Sequence, residues 1–227
     1  MKHRNLARQS GFTLVEIAIV LVIIGLLLGG VLKGQEMIEN AKVKNGVNDM
    51  NGVSAAYQSY IDRFHRLPGD DGAAAGGLAL LQARGGSWAT ITAAGNNNGL
   101  IAIAQNQVFT GGGEGTALWQ ALKAAGFVAG NPADAAAAAL PRNAFNGLTG
   151  VGLGVTPTTG AARLSVCLSQ VPGKAARALD TQLDDGIANG GAVLATVGAV
   201  GVNTNPLAAV VGGVYNDDNI YTVCRTL

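Results

Sequence analysis

Few residues in this chain have a type and spacing that suit catalysis. The sequence holds two histidines, His3 and His65, and two cysteines, Cys167 and Cys224, in no zinc or redox motif. The glycine-rich run 111–116 precedes a possible helix but lacks the lysine of a phosphate-binding loop, so we expect a flexible turn. No nucleophile is matched with a base. The chain is therefore not expected to be an enzyme or to bind a cofactor.

Three pairs of adjacent acids are the candidates for a metal site. They are Asp70 with Asp71, Asp184 with Asp185, and Asp217 with Asp218. Calcium needs six to eight oxygen ligands, so the second and third pairs could converge on one ion. None of the pairs has the spacing of a known calcium loop. Solvated turns and a helix cap explain them, and we predict no metal site.

One further carboxylate, Glu16, lies where charge is costly. It is the single charged residue in the apolar run 12–32, which is long enough to cross a bilayer as a helix. A carboxylate inside the membrane costs on the order of 3 kcal/mol, so a positive partner is needed. The alternative is that Glu16 stays protonated near the lipid headgroups.

The charges around the apolar run predict an exported protein. Basic residues precede the run, which places residue 1 in the cytoplasm and the bulk of the chain outside. The run is too long for an ordinary signal peptide, so the expected processing point lies ahead of it, between Gly11 and Phe12. Elsewhere the positive residues are scattered and the formal net charge is +1. This pattern argues against nucleic acid as the main partner.

The segment 10–16 (SGFTLVE) and the apolar run after it resemble the N-terminus of type IV pilins and of type II secretion pseudopilins. The resemblance implies that a prepilin peptidase cuts after Gly11 and that the new N-terminal residue, Phe12, is N-methylated. It also implies that Glu16 pairs with the freed amine of the same or a neighbouring subunit. That pairing would set the subunit register in a filament.

The likeness continues beyond the apolar run. Residues 33–36 (KGQE) and the stretch up to 67–71 (LPGDD) look like one branch of bacterial pilin-like proteins, and residues 117–127 resemble it more weakly. One feature differs from many pilins, which carry a proline within the membrane helix. The corresponding region here has glycines instead, at Gly29, Gly30 and Gly34.

Proline-free sequence from 12 to 66 predicts one continuous helix of residues 12–64, with a possible bend at Gly46 or Gly52. Its second half has one apolar face, completed by Ser54 and otherwise formed by Val43, Val47, Met50, Tyr57, Ile61 and Phe64. Leu67-Pro68-Gly69 should end the helix. Residues 67–115 read as a long loop region with short elements. Then come a helix at 116–125, closed by Gly126, and a helix or turn at 135–139.

The C-terminal third predicts an antiparallel sheet. Strands are expected at 163–168, 192–197, 207–211 and 220–225, with a helix at 174–185 between the first two. The fold class is therefore α+β, with a long N-terminal helix packed against a sheet-containing head. The predicted divisions are a cleaved leader at 1–11, a helix at 12–66 with its membrane span at 12–32, and a head at 67–227.

The two cysteines, Cys167 and Cys224, both fall on predicted strands of the exported part. An oxidising periplasm favours a disulfide between them, which could contribute roughly 4 kcal/mol in the chain-entropy model. Many pilins tie their C-terminal region in this way. The alternative is two free buried thiols.

These features predict a structural subunit of a type IV pilus or related filament. Its expected partners are copies of itself, other pilins, the prepilin peptidase and the assembly machinery. It would sit in the bacterial inner membrane before assembly, with its C-terminus in the periplasm, and in an extracellular pilus or periplasmic pseudopilus afterwards. The alternatives are a minor pilin whose head binds a ligand, motivated by the Gly- and Asn-rich insertion, and a secretion pseudopilin.

Overall fold

The computed structural model describes residues 13–73, 76–158 and 160–227. The chain forms two compact units, Met1–Ala41 and Lys42–Leu227. Helix α1, Leu14–Phe64, contains the boundary between them. The second unit combines helices with one antiparallel sheet. The α+β class expected from the sequence is confirmed.

Helix α1 is uninterrupted over its described length. Gly46 and Gly52 both lie within this continuous helix. It ends at Phe64, where His65 adopts a left-handed backbone angle (φ 52°) ahead of Leu67-Pro68, as the proline predicts.

The buried face of α1 is turned slightly from the predicted one. Val43, Met50 and Tyr57 are buried as expected, whereas Val47, Ile61 and Phe64 are half-buried. Four further residues of this face are buried: Gly46, Val53, Ala56 and Tyr60. Gly46 explains the difference, because a side chain there would meet Phe145 at 3.1 Å and Leu179 at 3.2 Å. The missing side chain lets the helix approach the core closely.

The sheet has four strands in the order β1-β2-β4-β3, and every neighbouring pair is antiparallel. The strands are β1 Thr149–Leu153, β2 Leu164–Pro172, β3 Val193–Gly198 and β4 Ile220–Thr226. Three of these confirm predicted strands. The predicted strand at 207–211 is wrong, since this segment makes only an isolated bridge between Ala208 and Thr156.

Strand β1 was not predicted because its sequence, TGVGL, is rich in glycine. The structure shows why glycine is needed there. A side chain at Gly150 would lie 2.4 Å from the carbonyl oxygen of Val108, and one at Gly152 would lie 2.7 Å from Ile103. The strand therefore packs closely against the preceding loop.

The remaining predicted helices are confirmed. They are α3, Gly115–Ala124, which is followed by Gly126 with φ 80°, and α4, Gly173–Leu183, which lies between β2 and β3 in the chain. Residues 136–139 form a short 3-10 turn. The 67–115 region holds helix α2, Gly77–Gln82, and two short 3-10 turns.

The core of the second unit joins α1, α3, α4 and the sheet. Its largest fully buried side chains include Trp119, Tyr60, Tyr221, Met50 and Leu168. Among them, Tyr60 connects α1 to the loop region, because its hydroxyl donates a 2.6 Å hydrogen bond to Asp71. The core therefore extends beneath the loop region as well as beneath the sheet.

The expectation of solvated turns is wrong for Asp70 and Asp71, which are only 3% and 5% exposed. Asp71 accepts hydrogen bonds from Tyr60 and from Arg84, whose guanidinium lies 2.9 Å away. Arg84 also stacks over Trp88, with 4.6 Å between its central carbon and the ring centroid. Asp71 is thus the centre of a buried polar cluster that fixes the loop region to the end of α1.

Candidate assembly helix

The first part of α1 presents apolar side chains to its surroundings on every side. Large residues from Leu14 to Leu32 are exposed, and Leu14 reaches 91% and Leu26 73%. In the described chain, α1 is the one helix whose length and composition suit a membrane span. A helix that is apolar all round is suited to lipid or to a packed apolar core rather than to water.

Glu16 belongs to a reciprocal cap at the start of this helix. Its carboxylate oxygen Oε2 accepts a hydrogen bond from the Thr13 N–H at 2.9 Å and from the Thr13 hydroxyl at 2.8 Å. The N–H of Glu16 in turn donates to the Thr13 hydroxyl oxygen at 3.3 Å. This is the capping box, in which threonine and a glutamate three residues later satisfy each other's free backbone groups.

The cap changes the interpretation of Glu16. A carboxylate in the first turn also interacts favourably with the positive end of the helix dipole. The helix therefore gives the acid some stabilisation of its own, before any cationic partner is present. Sequence reasoning missed this role, although the pattern Thr-x-x-Glu ahead of an apolar run is a recognisable signal.

A comparison with protein-family models bears on the same segment. The model described as the prokaryotic N-terminal methylation motif matches residues 6–32. The chain carries the type IV pilin and pseudopilin signature. None of the curated proteins compared with the chain matches it.

The matched range covers the predicted processing point and the apolar run. Gly11 and Phe12, the predicted cleavage and methylation residues, lie within the matched range but outside the residues that the structure describes. Glu16 lies within both. The pilin signature and the exposed apolar helix together fit membrane anchoring before assembly.

Cys167 and Cys224 form a disulfide, with a sulfur–sulfur distance of 2.03 Å. They lie opposite each other on β2 and β4, and both are buried. The bond closes a loop of 57 residues in sequence separation that contains α4 and β3. Restricting the unfolded chain in this way is worth about 4 kcal/mol in the chain-entropy model. The alternative of two free thiols is wrong.

The second and third acidic pairs lie apart among different partners. Asp184 and Asp185 instead group with Asp180, whereas Asp217 pairs with Arg177 at 2.8 Å. Each acid of the group has protein partners. Asp184 accepts from the Val193 N–H at 3.1 Å, and Asp185 accepts from the Ile187 N–H at 2.9 Å.

Asp180 is the buried member of that group, with no exposed surface. The Tyr215 hydroxyl donates to its Oδ2 at 2.7 Å, and the Gly186 N–H donates to its Oδ1 at 3.2 Å. Burial raises the pKa of Asp180 above its ordinary value, and these hydrogen bonds offset the rise in part. These hydrogen bonds fix the C-terminal end of α4. They give the buried Asp180 a structural role.

Proposed function

We propose that this protein is a structural subunit of a type IV pilus or a related filament and that it polymerises through the first part of α1. The observation that carries the proposal is the methylation motif at 6–32 on a helix whose apolar side chains are exposed all round. Such a surface is stable in lipid or against similar helices. The proposed role is structural rather than enzymatic.

In the proposed mechanism, the basic leader stays in the cytoplasm and the prepilin peptidase cuts after Gly11. Phe12 becomes the N-methylated first residue, and residues 12–32 hold the subunit in the inner membrane. The assembly machinery then moves the helix from lipid into the filament core. Since both environments are apolar, this transfer exposes little apolar surface to water.

Glu16 is the proposed register residue. In lipid, the Thr13 cap gives its carboxylate two hydrogen bonds. In the filament, the freed amine of a neighbouring subunit would supply the opposite charge. A close pair of opposite charges gains most where the surroundings are apolar, so the register that brings the two together is favoured.

Glu16→Ala tests this mechanism. We expect the variant to be processed and inserted in the membrane but to give at least tenfold fewer filaments, because the pair that selects the register is lost. Immunoblots of sheared filaments and of membranes measure the two pools. Glu36→Ala is the matched control, since Glu36 lies on the same helix but is exposed and pairs with Lys33 at 2.8 Å. Filament yield that is normal for Glu16→Ala, or equally reduced for Glu36→Ala, contradicts the mechanism.

The abundance of the subunit in sheared filaments distinguishes the kinds of pilin. A major pilin would dominate sheared filaments, whereas a minor pilin with a binding head would be a trace component. A pseudopilin would co-purify with a secretion pore, and its deletion would stop exoprotein release. The 67–115 region, with its packed polar cluster around Asp71, is the part of the head in which we place any ligand-binding role.

A further inference from the structure

An open groove of about 220 Å³ lies beside helix α1 in the head. Its apolar lining comes from Val53 of α1 and from Phe127 and Val128, which follow α3. Gly52 also lines the groove, and no atom of the described chain lies within 4 Å of the position that a side chain there would take. The groove is therefore open along the surface of the helix.

Asp49 contributes a carboxylate to this groove. The residue is half-buried, and burial raises its pKa above the ordinary value. Arg142, the other charged residue of the lining, is exposed and forms no ion pair with Asp49. The ion pairs of the described chain all involve other acids. A half-buried carboxylate without a cation is unfavourable, so the groove lacks a positively charged partner.

The lining of the groove suits a lysine side chain. Lysine carries its ammonium group on a flexible apolar stem, which can lie along an apolar surface while the charge reaches a polar group. The stem would lie against Val53, Phe127 and Val128, and the ammonium would reach Asp49. The attraction between the two charges is stronger where apolar side chains exclude water.

Lys44 has the position that such a partner needs. It is exposed on α1, and no ion pair of the described chain includes it. It precedes Asp49 by five residues, which corresponds to a rotation of about 140° around the helix. The two residues therefore lie on different sides of α1. A head-to-tail contact between copies requires this, because it joins two different surfaces of the molecule and extends into an open filament.

The proposed register of Glu16 favours the same pairing. Glu16 follows Phe12 by four residues, so its pairing with the freed amine of a neighbour corresponds to a shift of about 6 Å between parallel helices. Asp49 follows Lys44 by five residues, which corresponds to a shift of about 7.5 Å in the same direction. The flexible lysine side chain can span the difference of about 1.5 Å. One axial shift therefore fits both pairs.

Lys42 does not fit this contact, although it is also exposed and belongs to no ion pair of the described chain. It precedes Asp49 by seven residues, so both side chains lie within about 20° of each other around α1. A neighbour that faces Asp49 from the opposite side would therefore turn Lys42 away. Lys42 is a matched control for Lys44.

We propose that the groove beside Asp49 receives Lys44 of a neighbouring copy of this chain, whose ammonium group pairs with the Asp49 carboxylate. The inference rests on the proposed function, since it requires copies of α1 to pack in parallel. It adds a specific contact made by residues 42–227 to the contact made by the apolar part of α1. The same pair repeats at every step along the filament.

Exchanging the two charges tests the proposal. Asp49→Lys and Lys44→Asp should each lower the yield of sheared filaments by about tenfold, because each places like charges opposite one another. The double variant restores opposite charges, so its yield should return to within about twofold of the wild type. Lys42→Asp should give the wild-type yield. Immunoblots of membranes measure how much of each variant is made and inserted.

Cross-linking of wild-type filaments locates the contact directly. A zero-length carbodiimide couples a lysine amine to a carboxylate only where the two touch. We expect mass spectrometry of the digested filaments to show an amide bond between Lys44 and Asp49. The same treatment of the full chain in detergent micelles should not produce it, because the two residues lie on different sides of one helix. Filaments without this bond, or with Asp49 coupled to Lys42, overturn the proposal.

The filament yields also separate the proposal from its rivals. Normal yield from Asp49→Lys overturns it, as does a double variant that is no better than Asp49→Lys alone. Rescue of Asp49→Lys by Arg142→Asp instead of Lys44→Asp overturns it as well, because Asp49 would then pair with Arg142. A wild-type chain that forms no filaments contradicts the proposed function itself. Wild-type filaments together with any of the other results contradict this inference alone.

Discussion

Several acidic residues in the described part of the chain lie where charge is costly, and the fold treats them in different ways. Glu16 is capped by Thr13 at the start of α1. Asp180 is satisfied by the Tyr215 hydroxyl and a backbone amide inside the head. Asp71 accepts hydrogen bonds from the Tyr60 hydroxyl and from Arg84. The first supports the proposed assembly role, and the other two are structural.

Asp180 should make stability depend on pH. Its pKa is raised by burial, so the folded state binds the proton more tightly than the unfolded state does. The free energy of unfolding of the wild type should therefore fall, relative to Asp180→Asn, as the pH rises from about 3.9, the ordinary aspartate pKa, through the raised value. Denaturant unfolding of both proteins over a pH series measures the difference.

Tyr215→Phe provides the companion variant. It removes a hydrogen bond that lowers the pKa of Asp180, so the total decline should become larger and continue to higher pH. If the wild type instead gains stability relative to Asp180→Asn as the pH rises, the pKa of Asp180 is not raised in the folded state.

The sequence predicted these residues unequally, for a physical reason. Glu16 was recognisable because its apolar neighbours are adjacent in the chain. Asp70 and Asp71 were misread as a solvated turn because their partners are distant in sequence. Tyr60, Arg84 and Asn98 come from three other segments, and only the folded chain brings them together.

Two glycines of helix α1 have different surroundings. Gly46 lies against Phe145, Leu179 and Leu168, whereas nothing lies within 4 Å of the position that a side chain at Gly52 would take. Sequence reasoning gave both the same interpretation, as weak points where the helix bends. The structure assigns Gly46 to packing and leaves Gly52 as an exposed helical position.

The same substitution at both glycines separates these roles. Gly46→Leu should destabilise the head by about 1–3 kcal/mol, because the new side chain overpacks the contact between α1 and the core. Gly52→Leu should stabilise it by up to about 1 kcal/mol, since leucine forms helix better than glycine does. Thermal unfolding followed by tryptophan fluorescence measures both. Equal effects of the two substitutions would show that the close contact at Gly46 is absent.

Elements with clear local signals were predictable. The α3 and α4 helices have apolar residues at helical spacing and a glycine after the last turn, and three strands have β-branched runs. Strand β1 and the 207–211 segment were not predictable, because tertiary contacts determine their secondary structure. Glycines make β1 look like a loop, whereas residues 207–211 have a strand-like composition but pair only at Ala208.

The two units of the chain are stabilised in different ways. The head, from Lys42 onward, has its own apolar core and a buried disulfide. The apolar part of α1 has exposed side chains throughout its described length. Its surface requires an apolar environment, which lipid supplies before assembly and neighbouring helices supply in the proposed filament.

We propose that the chain loses residues 1–11 and polymerises through the apolar helix that follows them. Intact-mass measurement of the subunit from sheared filaments tests it most directly. The expected mass is that of residues 12–227 with one N–H hydrogen replaced by a methyl group, a net gain of CH2, and with the two hydrogens lost in the disulfide between Cys167 and Cys224 subtracted. A subunit that retains its first eleven residues, or that is found only as a monomer in the inner membrane, would contradict the account.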